Sequence, residues 1–400
     1  MAMSKRFSVT YLPPSCRNQL REESIRRFGL RLRVGYRLFL VLVATVIGVG
    51  DRVRGQYRLE NARSVRAWLQ SGVKWGRAVS IARRLAKSAV WAAAFVVVLV
   101  GLALLFAPYL FAELSASLEP HAIIDPAKPD LGEGHMVDDY WAVQDIDANT
   151  HALGEPRYYQ VNYAYLIVGE GRALLFDAGS GTRDIAGVVK SLTHLPVTVM
   201  PSHLHFDHTG GIAPFKSVAM IDLSDTRADV TNGKLTPSRY DYLGMVDGLM
   251  PPTFSVTEWV KPGTTIDLGR RVLQILHVPG HTHSSAALYD AATHQLFAGD
   301  FIYPTTLYAF LPGASLAEYR ATTRKLLATL PADTKIWTAH CCRVGERTSA
   351  PWLTMADLRD LDTALTAIQS GESHSTGFFP RRFPINQQMT LATGFPWNNR

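Results

Sequence analysis

The longest uninterrupted run of apolar positions covers residues 89–112, which carry no charged side chain. As a single helix these 24 residues would measure about 36 Å at ~1.5 Å per residue, which exceeds the roughly 30 Å hydrocarbon thickness of a bilayer. A buried core helix is the alternative, but a soluble helix of this length normally has a polar face. We therefore predict a transmembrane helix over 89–112.

A second apolar run, 38–50, has only 13 residues and is bounded by Arg37 and Asp51. It is short for a membrane span, and crossing would translocate a flank that contains nine or ten Lys and Arg residues. We predict a surface-lying or re-entrant segment, with a short second span as the alternative.

The polar and apolar pattern changes again after the long run. Residues 114–156 contain four prolines and many acidic residues without periodicity, which predicts a linker over 113–156. Beyond it, short apolar runs predict strands at 159–168, 172–176, 196–200, 217–223, 272–278, 286–289, 295–298 and 335–338, and helical spacing predicts helices at 184–192, 316–330 and 352–370. This mixed order predicts an α/β fold over 157–400, in which helices cover packed sheets.

Charge divides the chain at the long apolar run. Residues 1–88 contain 19 Lys and Arg residues against four acidic residues, whereas the remainder contains 22 and 30. The net charge of +7 therefore reflects a basic, membrane-proximal region, and it does not predict nucleic-acid binding by the large domain. Because basic residues precede the run and acidic residues follow it, we predict a single-pass membrane protein whose large domain lies outside the cytoplasm.

A dense group of metal-binding residue types follows the strand predicted at 196–200. Residues 203–208 carry the pattern H-x-H-x-D-H, with His203, His205, Asp207 and His208. In extended chain, residues two apart point the same way, so the first two imidazoles can converge on one ion while His208 faces another. Burying these groups without a cation would be costly, although an exposed polar loop is the alternative.

Three further candidate ligands each stand at the end of a predicted strand: His281, Asp300 and His340. Strand ends meet at one edge of a sheet, where sites on α/β scaffolds form. An isolated His or Asp at such a place is more often a turn residue. Together with the segment 203–208, these residues make four such placements along the chain, which favours a shared metal site.

At these motifs the chain resembles the metallo-β-lactamase superfamily, over about residues 155–345. The family's five motifs occur in order: Asp177 in LLFDAG, the segment 203–208, His281 in GHT, Asp300 in AGD, and His340. The resemblance implies an αββα sandwich with two metal ions. It implies that the first ion is bound by His203, His205 and His281, and the second by Asp207, His208 and His340, with Asp300 bridging both.

The resemblance also implies that Asp177 orients a ligand through hydrogen bonding. A shell of His and Asp suits Zn²⁺ best, with Fe or Mn as alternatives. His277 and His283 flank His281 and are not expected to be ligands. Cys341 and Cys342 are expected to be packed thiols, because adjacent cysteines rarely pair and the site is already filled by N and O donors.

The reaction implied is hydrolysis by a hydroxide held between two zinc ions and oriented by Asp207. Tyr303, three residues after Asp300, matches a spacing of the superfamily's acyl-homoserine lactonases, which implies contact with the substrate carbonyl or leaving oxygen. A half-buried aromatic at a strand end is the alternative. Residues 307–313 resemble animal metallo-β-lactamase-domain acyl-CoA thioesterases.

We therefore predict a membrane-anchored hydrolase, similar to glyoxalase II or the lactonases, that cleaves a small-molecule ester, thioester or lactone. A β-lactam or phosphodiester hydrolase of the same fold is one alternative, and a non-catalytic metal-binding membrane protein is the other. Residues 224–258 form either a lid or a packed insertion. The aromatic tail, 378–397, is expected to add a final strand, with a membrane contact as the alternative. The sequence indicates no oligomeric state.

Overall fold

The structure, a computed structural model, describes residues 72–117, 124–342 and 345–397. It separates into two compact units, Met1–Val96 and Val97–Arg400. The apolar segment predicted at 38–50 and most of the basic region 1–88 lie outside the described residues.

The long apolar run forms two helices instead of one. Helix α1 spans Gly72–Leu105 and helix α2 spans Ala107–Ser117. Pro108 accounts for the division, because it has no N–H to donate to the carbonyl of Leu104 four residues earlier. The indole Nε1 of Trp397 donates to that carbonyl over 3.3 Å. The predicted single helix over 89–112 was therefore wrong at its C-terminal end.

Within α1, residues Arg83–Leu105 are long and apolar enough to cross a membrane, and none of the most apolar 18-residue window is buried. The same length and composition also fit a signal sequence near the N-terminus. The helix is therefore a candidate span.

The remaining elements belong to the second unit. The described strands are β1 His135–Met136, β2 Ala142–Asp147, β3 Thr150–Gly154, β4 Tyr163–Val168, β5 Ala173–Phe176, β6 Val197–Met200, β7 Ser217–Ile221, β8 Val230–Thr231, β9 Lys234–Leu235, β10 Phe254–Ser255, β11 Glu258–Val260, β12 Thr265–Asp267, β13 Val272–His277, β14 Ala286–Asp290, β15 Gln295–Phe297, β16 Thr305–Ala309, β17 Lys335–Trp337, β18 Trp352–Thr354, β19 Arg381–Pro384 and β20 Met389–Thr393. The described helices are α3 Ile185–Leu192, α4 Phe206–Thr209, α5 Ser224–Ala228, α6 Arg239–Tyr242, α7 Leu316–Thr329 and α8 Met355–Ser370, with a 3-10 turn at Gly244–Asp247.

Two large sheets organise these strands. The first has the order β1-β2-β3-β4-β5-β6-β7-β11, and the second has the order β12-β13-β14-β15-β17-β18. β5, β6, β7 and β11 run parallel to one another, so that chain segments must cross over between them, whereas β4 pairs with β5 antiparallel. A smaller sheet, β16-β20-β19, joins the chain's last strands to β16. The predicted final strand in the tail is thereby confirmed.

Alternate side chains of β14 show how the layers stack. Ala286 and Leu288 belong to the hydrophobic core that both large sheets share with α3, whereas Ala287 and Tyr289 belong to a second core under α7 and α8. Because successive residues of a strand point to opposite faces, the second sheet is covered on both sides. The predicted α/β sandwich with helices over packed sheets is confirmed.

The predicted linker differs from the structure at its C-terminal half. Residues 142–154 form β2 and β3, a hairpin in the first sheet whose inner positions, including Val143 and Leu153, are buried. The strands escaped prediction because β2 has only three apolar residues, Ala142, Val143 and Ile146, and the other three are Gln or Asp. Burial by neighbouring strands, and not a repeating pattern, defines them.

Candidate metal centre

Loops after the strand ends of both sheets carry the predicted site residues. Asp177 follows β5, and residues 203–208 follow β6 and run into the short helix α4. His281 follows β13, Asp300 follows β15 and His340 follows β17. The structure brings all of them together, and every one of them is at most 8% exposed.

Three imidazoles form a first cluster, called here the three-histidine group: His203, His205 and His281. Their ligand atoms all lie within 4.8 Å of one another. Nε2 of His281 is 3.1 Å from Nδ1 of His205. Three nitrogen donors at this spacing match the chemistry of a site for one divalent ion.

Two carboxylates and two imidazoles form a second cluster, the mixed group: Asp207, His208, Asp300 and His340. Nε2 of His340 lies 3.1 Å from Asp300 Oδ1 and 3.3 Å from Asp207 Oδ2. Nε2 of His208 lies 3.3 Å from Asp300 Oδ1. The other oxygen of Asp300, Oδ2, is 3.6 Å from His281 Nε2, so this carboxylate stands between the two groups.

These residues fit a pair of metal ions. Ligands at about 2.05 Å from a tetrahedral ion lie roughly 3.3 Å from one another, close to the spacings measured here. Within the two groups, four buried atoms also lack a hydrogen-bond partner among the described residues: Nε2 of His203, His205 and His208, and Oδ1 of Asp300. Buried polar atoms are normally paired, so the two clusters imply divalent metal ions.

Neighbouring oxygens set the imidazole tautomers. Nδ1–H of His281 donates to the carbonyl of Tyr308 over 2.8 Å, which leaves Nε2 with its lone pair. Nδ1 of His208 lies 2.9 Å from Asp177 Oδ2. The other oxygen of Asp177 accepts from the Ser202 N–H over 2.6 Å. Asp177 thus ties one ligand-bearing loop to another, and its φ of 67° shows how sharply the chain turns there.

Burial and mutual repulsion keep the three-histidine group neutral. Burial is the largest influence on each of its members, and it lowers the pKa of His203 well below its ordinary value. It lowers the pKa of His205 to about 3, and it also lowers the pKa of His281. Neutral imidazoles present lone pairs to a cation.

The mixed group shows the opposite electrostatics. Burial opposes charge on His208, yet the carboxylates around it, Asp177 first, raise its pKa well above the ordinary value. Asp300 and Asp207 outweigh burial in the same way and raise the pKa of His340 to about 10. In return, His340 and His208 hold the pKa of Asp300 well below its usual range against the effect of burial. Without a cation, protonated imidazoles balance the buried carboxylates.

Tyr303 lies beside the mixed group. Its ring meets the His340 ring edge to face at 5.2 Å between centroids, and its hydroxyl donates to the carbonyl of Thr306 over 2.9 Å. The structure therefore places this tyrosine at the site and gives its proton an intramolecular acceptor.

The other residues that the sequence singled out lie around the site. The Nε2–H of His277 donates a hydrogen bond to the His283 carbonyl over 2.8 Å. The His283 side chain lines a cavity of 210 Å³ together with Leu204 and Asp225. Cys341 and Cys342 are joined by a disulfide bond, so the expectation of packed thiols was wrong.

A buried carboxylate that the sequence analysis missed stands behind the site. Glu155 is fully buried and accepts hydrogen bonds from Tyr140 Oη at 2.7 Å, Asn162 Nδ2 at 3.0 Å, and the N–H and hydroxyl of Ser180 at 3.1 and 2.7 Å. Asn162 forms a backbone bridge with His340. In the sequence, Glu155 is marked only by its position before Pro156, and an acidic residue beside a proline is common in loops.

The backbone around Ser180 approaches the metal-binding loop closely. A Cβ at Gly210 would lie 2.0 Å from the Ser180 carbonyl oxygen, and one at Gly181 would lie 2.5 Å from the backbone of Gly210. Only glycine permits this approach. Glu155 therefore holds two segments that carry or contact members of the mixed group.

The fold and these side chains together define a class of protein: an α/β sandwich with two adjoining His and Asp groups that imply divalent metal ions. A model of the metallo-beta-lactamase superfamily matches residues 159–340. The acyl-coenzyme A thioesterase MBLAC2 of Gallus gallus is 27% identical over 183 residues, which cover 41% of this chain and 65% of that protein. A hydroxyacylglutathione hydrolase of Aeromonas hydrophila subsp. hydrophila is 29% identical over 182 residues, which cover 45% of this chain and 61% of that protein.

Among solved structures, the B3 metallo-beta-lactamase BLEG-1 aligns with a TM-score of 0.41 at 20% identity, over 52% of this chain and 95% of that chain. The chain spans a little less than two thirds of the length of the two curated relatives above. The family model and these relatives support assignment of residues 159–340 to the metallo-beta-lactamase superfamily. The hydrolase relatives also support the prediction that this protein is an enzyme.

Proposed function

We propose that this protein is a membrane-anchored hydrolase of acyl thioesters that uses two zinc ions. The three-histidine group would hold one ion, the mixed group would hold the other, and Asp300 would serve both. The position of Asp300 is the observation on which the proposal rests, because its two oxygens face different groups at 3.1 and 3.6 Å. Two ions that share a carboxylate can act on one substrate.

When bound, the metal pair would supply Lewis acidity and an activated water near neutral pH. The chain's own groups would orient the reactants. Oδ2 of Asp207 lies 3.3 Å from His340 Nε2 at the inner wall of the site, where it can accept a proton from the attacking water. The buried walls around it, including Tyr303, exclude bulk water from the reacting carbonyl.

Thioesters are favoured over the other predicted substrates because two relatives carry that specificity in their names, an acyl-coenzyme A thioesterase and a hydroxyacylglutathione hydrolase. Helix α1 would supply the anchor, since Arg83–Leu105 has the length and composition of a span. The excess of basic residues before it would keep the N-terminal region in the cytoplasm and the second unit outside.

Metal analysis together with a substrate panel would test the proposal. The full chain, purified in nanodiscs, is assayed on an acyl thioester, an ester, a lactone, a β-lactam and a phosphodiester. We expect about two zinc ions per chain and the highest kcat/KM on the thioester. Bound metal with no turnover of any substrate would favour the non-catalytic alternative. A preference for the β-lactam or the phosphodiester would replace the proposed substrate class.

A further inference from the structure

A series of aromatic rings connects the metal centre to the end of helix α1. It begins at Tyr308, whose carbonyl accepts from His281. The rings then follow one another at centroid distances between 4.9 and 5.8 Å, in the order Tyr308, Phe310, Phe379, Phe395 and Trp397. The Trp397 indole ends the series by donating to the Leu104 carbonyl. All these residues belong to the second unit.

The far end of this series is exposed. Phe378 packs its ring on Phe395 and is 68% exposed, and Trp397 is 46% exposed. Nearby, Phe106 between α1 and α2, and Tyr109 and Leu110 on α2, also have exposed side chains, and the Phe106 and Tyr109 rings are 6.3 Å apart. We call these five residues the aromatic face. A group of exposed apolar side chains of this kind marks an interaction site in a folded protein.

Chain continuity indicates what covers the aromatic face. The last residues of α1, from Val97 to Leu105, are almost all exposed and apolar, and they lead directly into Phe106. Tyr and Trp side chains are enriched where a protein meets the polar boundary of a membrane. A helix that spans the bilayer would keep its own C-terminal end at this boundary. The bilayer is therefore favoured as the partner over a second copy of the chain.

We propose that the aromatic face lies on the lipid surface and that the enzyme takes substrates whose acyl chain remains in the lipid layer. The thioester then reaches the metal centre beside Tyr308, which is 41% exposed at the near end of the series. The lipid contact depends on the proposed anchor and on this surface alone. The substrate class rests in addition on the proposed hydrolase function.

A photo-cross-linking experiment tests the lipid contact without any need for catalysis. Benzoylphenylalanine replaces Phe378 in the full chain, which is reconstituted in nanodiscs that contain an alkyne-labelled phospholipid. The matched control is the same replacement at Trp352, a 51% exposed aromatic residue of β18. We expect about 10-fold more lipid adduct at 378 than at 352. Equal labelling, or a cross-link between two protein chains in place of lipid, would overturn the proposal.

Kinetics test the substrate class. In nanodiscs, Phe378→Ser should raise KM for a long-chain acyl thioester by about 10-fold, because a large apolar contact is lost, while kcat is unchanged. Its kinetics on a short, water-soluble thioester should not change, and Trp352→Ser should alter neither substrate. An equal effect on both substrates, or none on the long-chain one, would overturn the inference. If the unaltered chain hydrolyses no thioester, the proposed function fails, whereas the cross-linking result is unaffected.

Discussion

The three-histidine group and the mixed group lie side by side, yet they avoid uncompensated buried charge in different ways. In the first, three imidazoles are held neutral by burial, with the pKa of His205 at about 3. In the second, carboxylates and protonated imidazoles neutralise each other, with the pKa of His340 at about 10. A cation that enters the first group adds charge, whereas a cation that enters the second replaces protons. The two positions should therefore differ in how metal binding depends on pH.

The largest expected effect comes from removing the carboxylate that joins the groups. Asp300→Ala should lower kcat/KM by roughly 10³-fold or more, because both metal positions lose an oxygen and the mixed group loses its charge balance. Metal content should fall from about two ions toward one or none. Asp333→Ala, which removes a largely exposed carboxylate paired with His294, is the control and should keep both ions. Full metal content in Asp300→Ala would contradict the shared carboxylate.

Removing one imidazole from each group separates the two positions. His281→Ala and His340→Ala should each lose about one ion per chain, with a decrease of roughly 10²-fold or more in kcat/KM. Spectroscopy with Co²⁺ in place of zinc should then show a different remaining site in each variant. His294→Ala, at an exposed position, is the control. Identical spectra in both variants would show that the groups are not independent sites.

Asp177→Asn should act on the mixed group alone. Its carboxylate lies 2.9 Å from His208 Nδ1, so its loss should weaken metal binding there by about 10- to 100-fold. Competition with a chelator measures the affinity of each ion. The three-histidine group should keep its affinity, and a matched loss at both positions would argue for a general distortion instead.

The metal affinities of the two groups should depend differently on pH, and the ratio between them should change by up to about 10-fold per pH unit. Between the ordinary value of 6.5 and about 10, His340 is protonated in the metal-free protein, so the second ion must displace a proton and binds more tightly as the pH rises. His205, with a pKa of about 3, is already neutral in that window, so affinity for the first ion should stay nearly constant. Calorimetry in buffers of different ionisation enthalpy would count the released protons. No release at the second ion would contradict the charge assignment.

The same shifts predict how the stability of the metal-free protein depends on pH. The raised pKa of His340 contributes stability that is fully present below 6.5 and is lost as the pH rises through about 10. The lowered pKa of His205 acts in the other direction, so its contribution is present above 6.5 and is lost as the pH falls toward about 3. Urea unfolding of the metal-free full chain, compared with His340→Ala, would measure the high-pH part.

The smallest effect is expected at Glu155. Glu155→Gln places an amide N–H₂ among donors and leaves at least one of them unsatisfied, which should cost about 1–3 kcal/mol of unfolding free energy. Because Asn162 and Ser180 connect Glu155 to the mixed group, the second ion should also bind less tightly, by less than about 10-fold, while the first is unaffected. Glu170→Gln, at an exposed position, is the control. A change in the affinity of the first ion would show that Glu155 supports the whole fold and not the mixed group alone.

Much of this architecture could be predicted because it depends on local patterns. The strands that carry His203, His281 and Asp300 are short apolar runs, and a ligand at the end of such a run is visible without knowledge of its neighbours. Hairpin β2–β3 was missed because its strands are defined by burial against other strands. The apolar run before the domain was visible in the sequence, and so was Pro108, but the partner of the Leu104 carbonyl that Pro108 leaves free is Trp397, a residue almost 300 positions away.

The sequence by itself determined which side chains could bind metal, their order along the chain and the apolar helix before them, because residue identity and periodicity are local properties. Only the tertiary structure decided that Asp300 faces both groups, that Glu155 is buried among donors and that aromatic residues from β16, the loop after it and the tail form one series that ends at α1. Those relations join residues far apart in sequence, and packing between layers sets the distances on which coordination and charge balance depend.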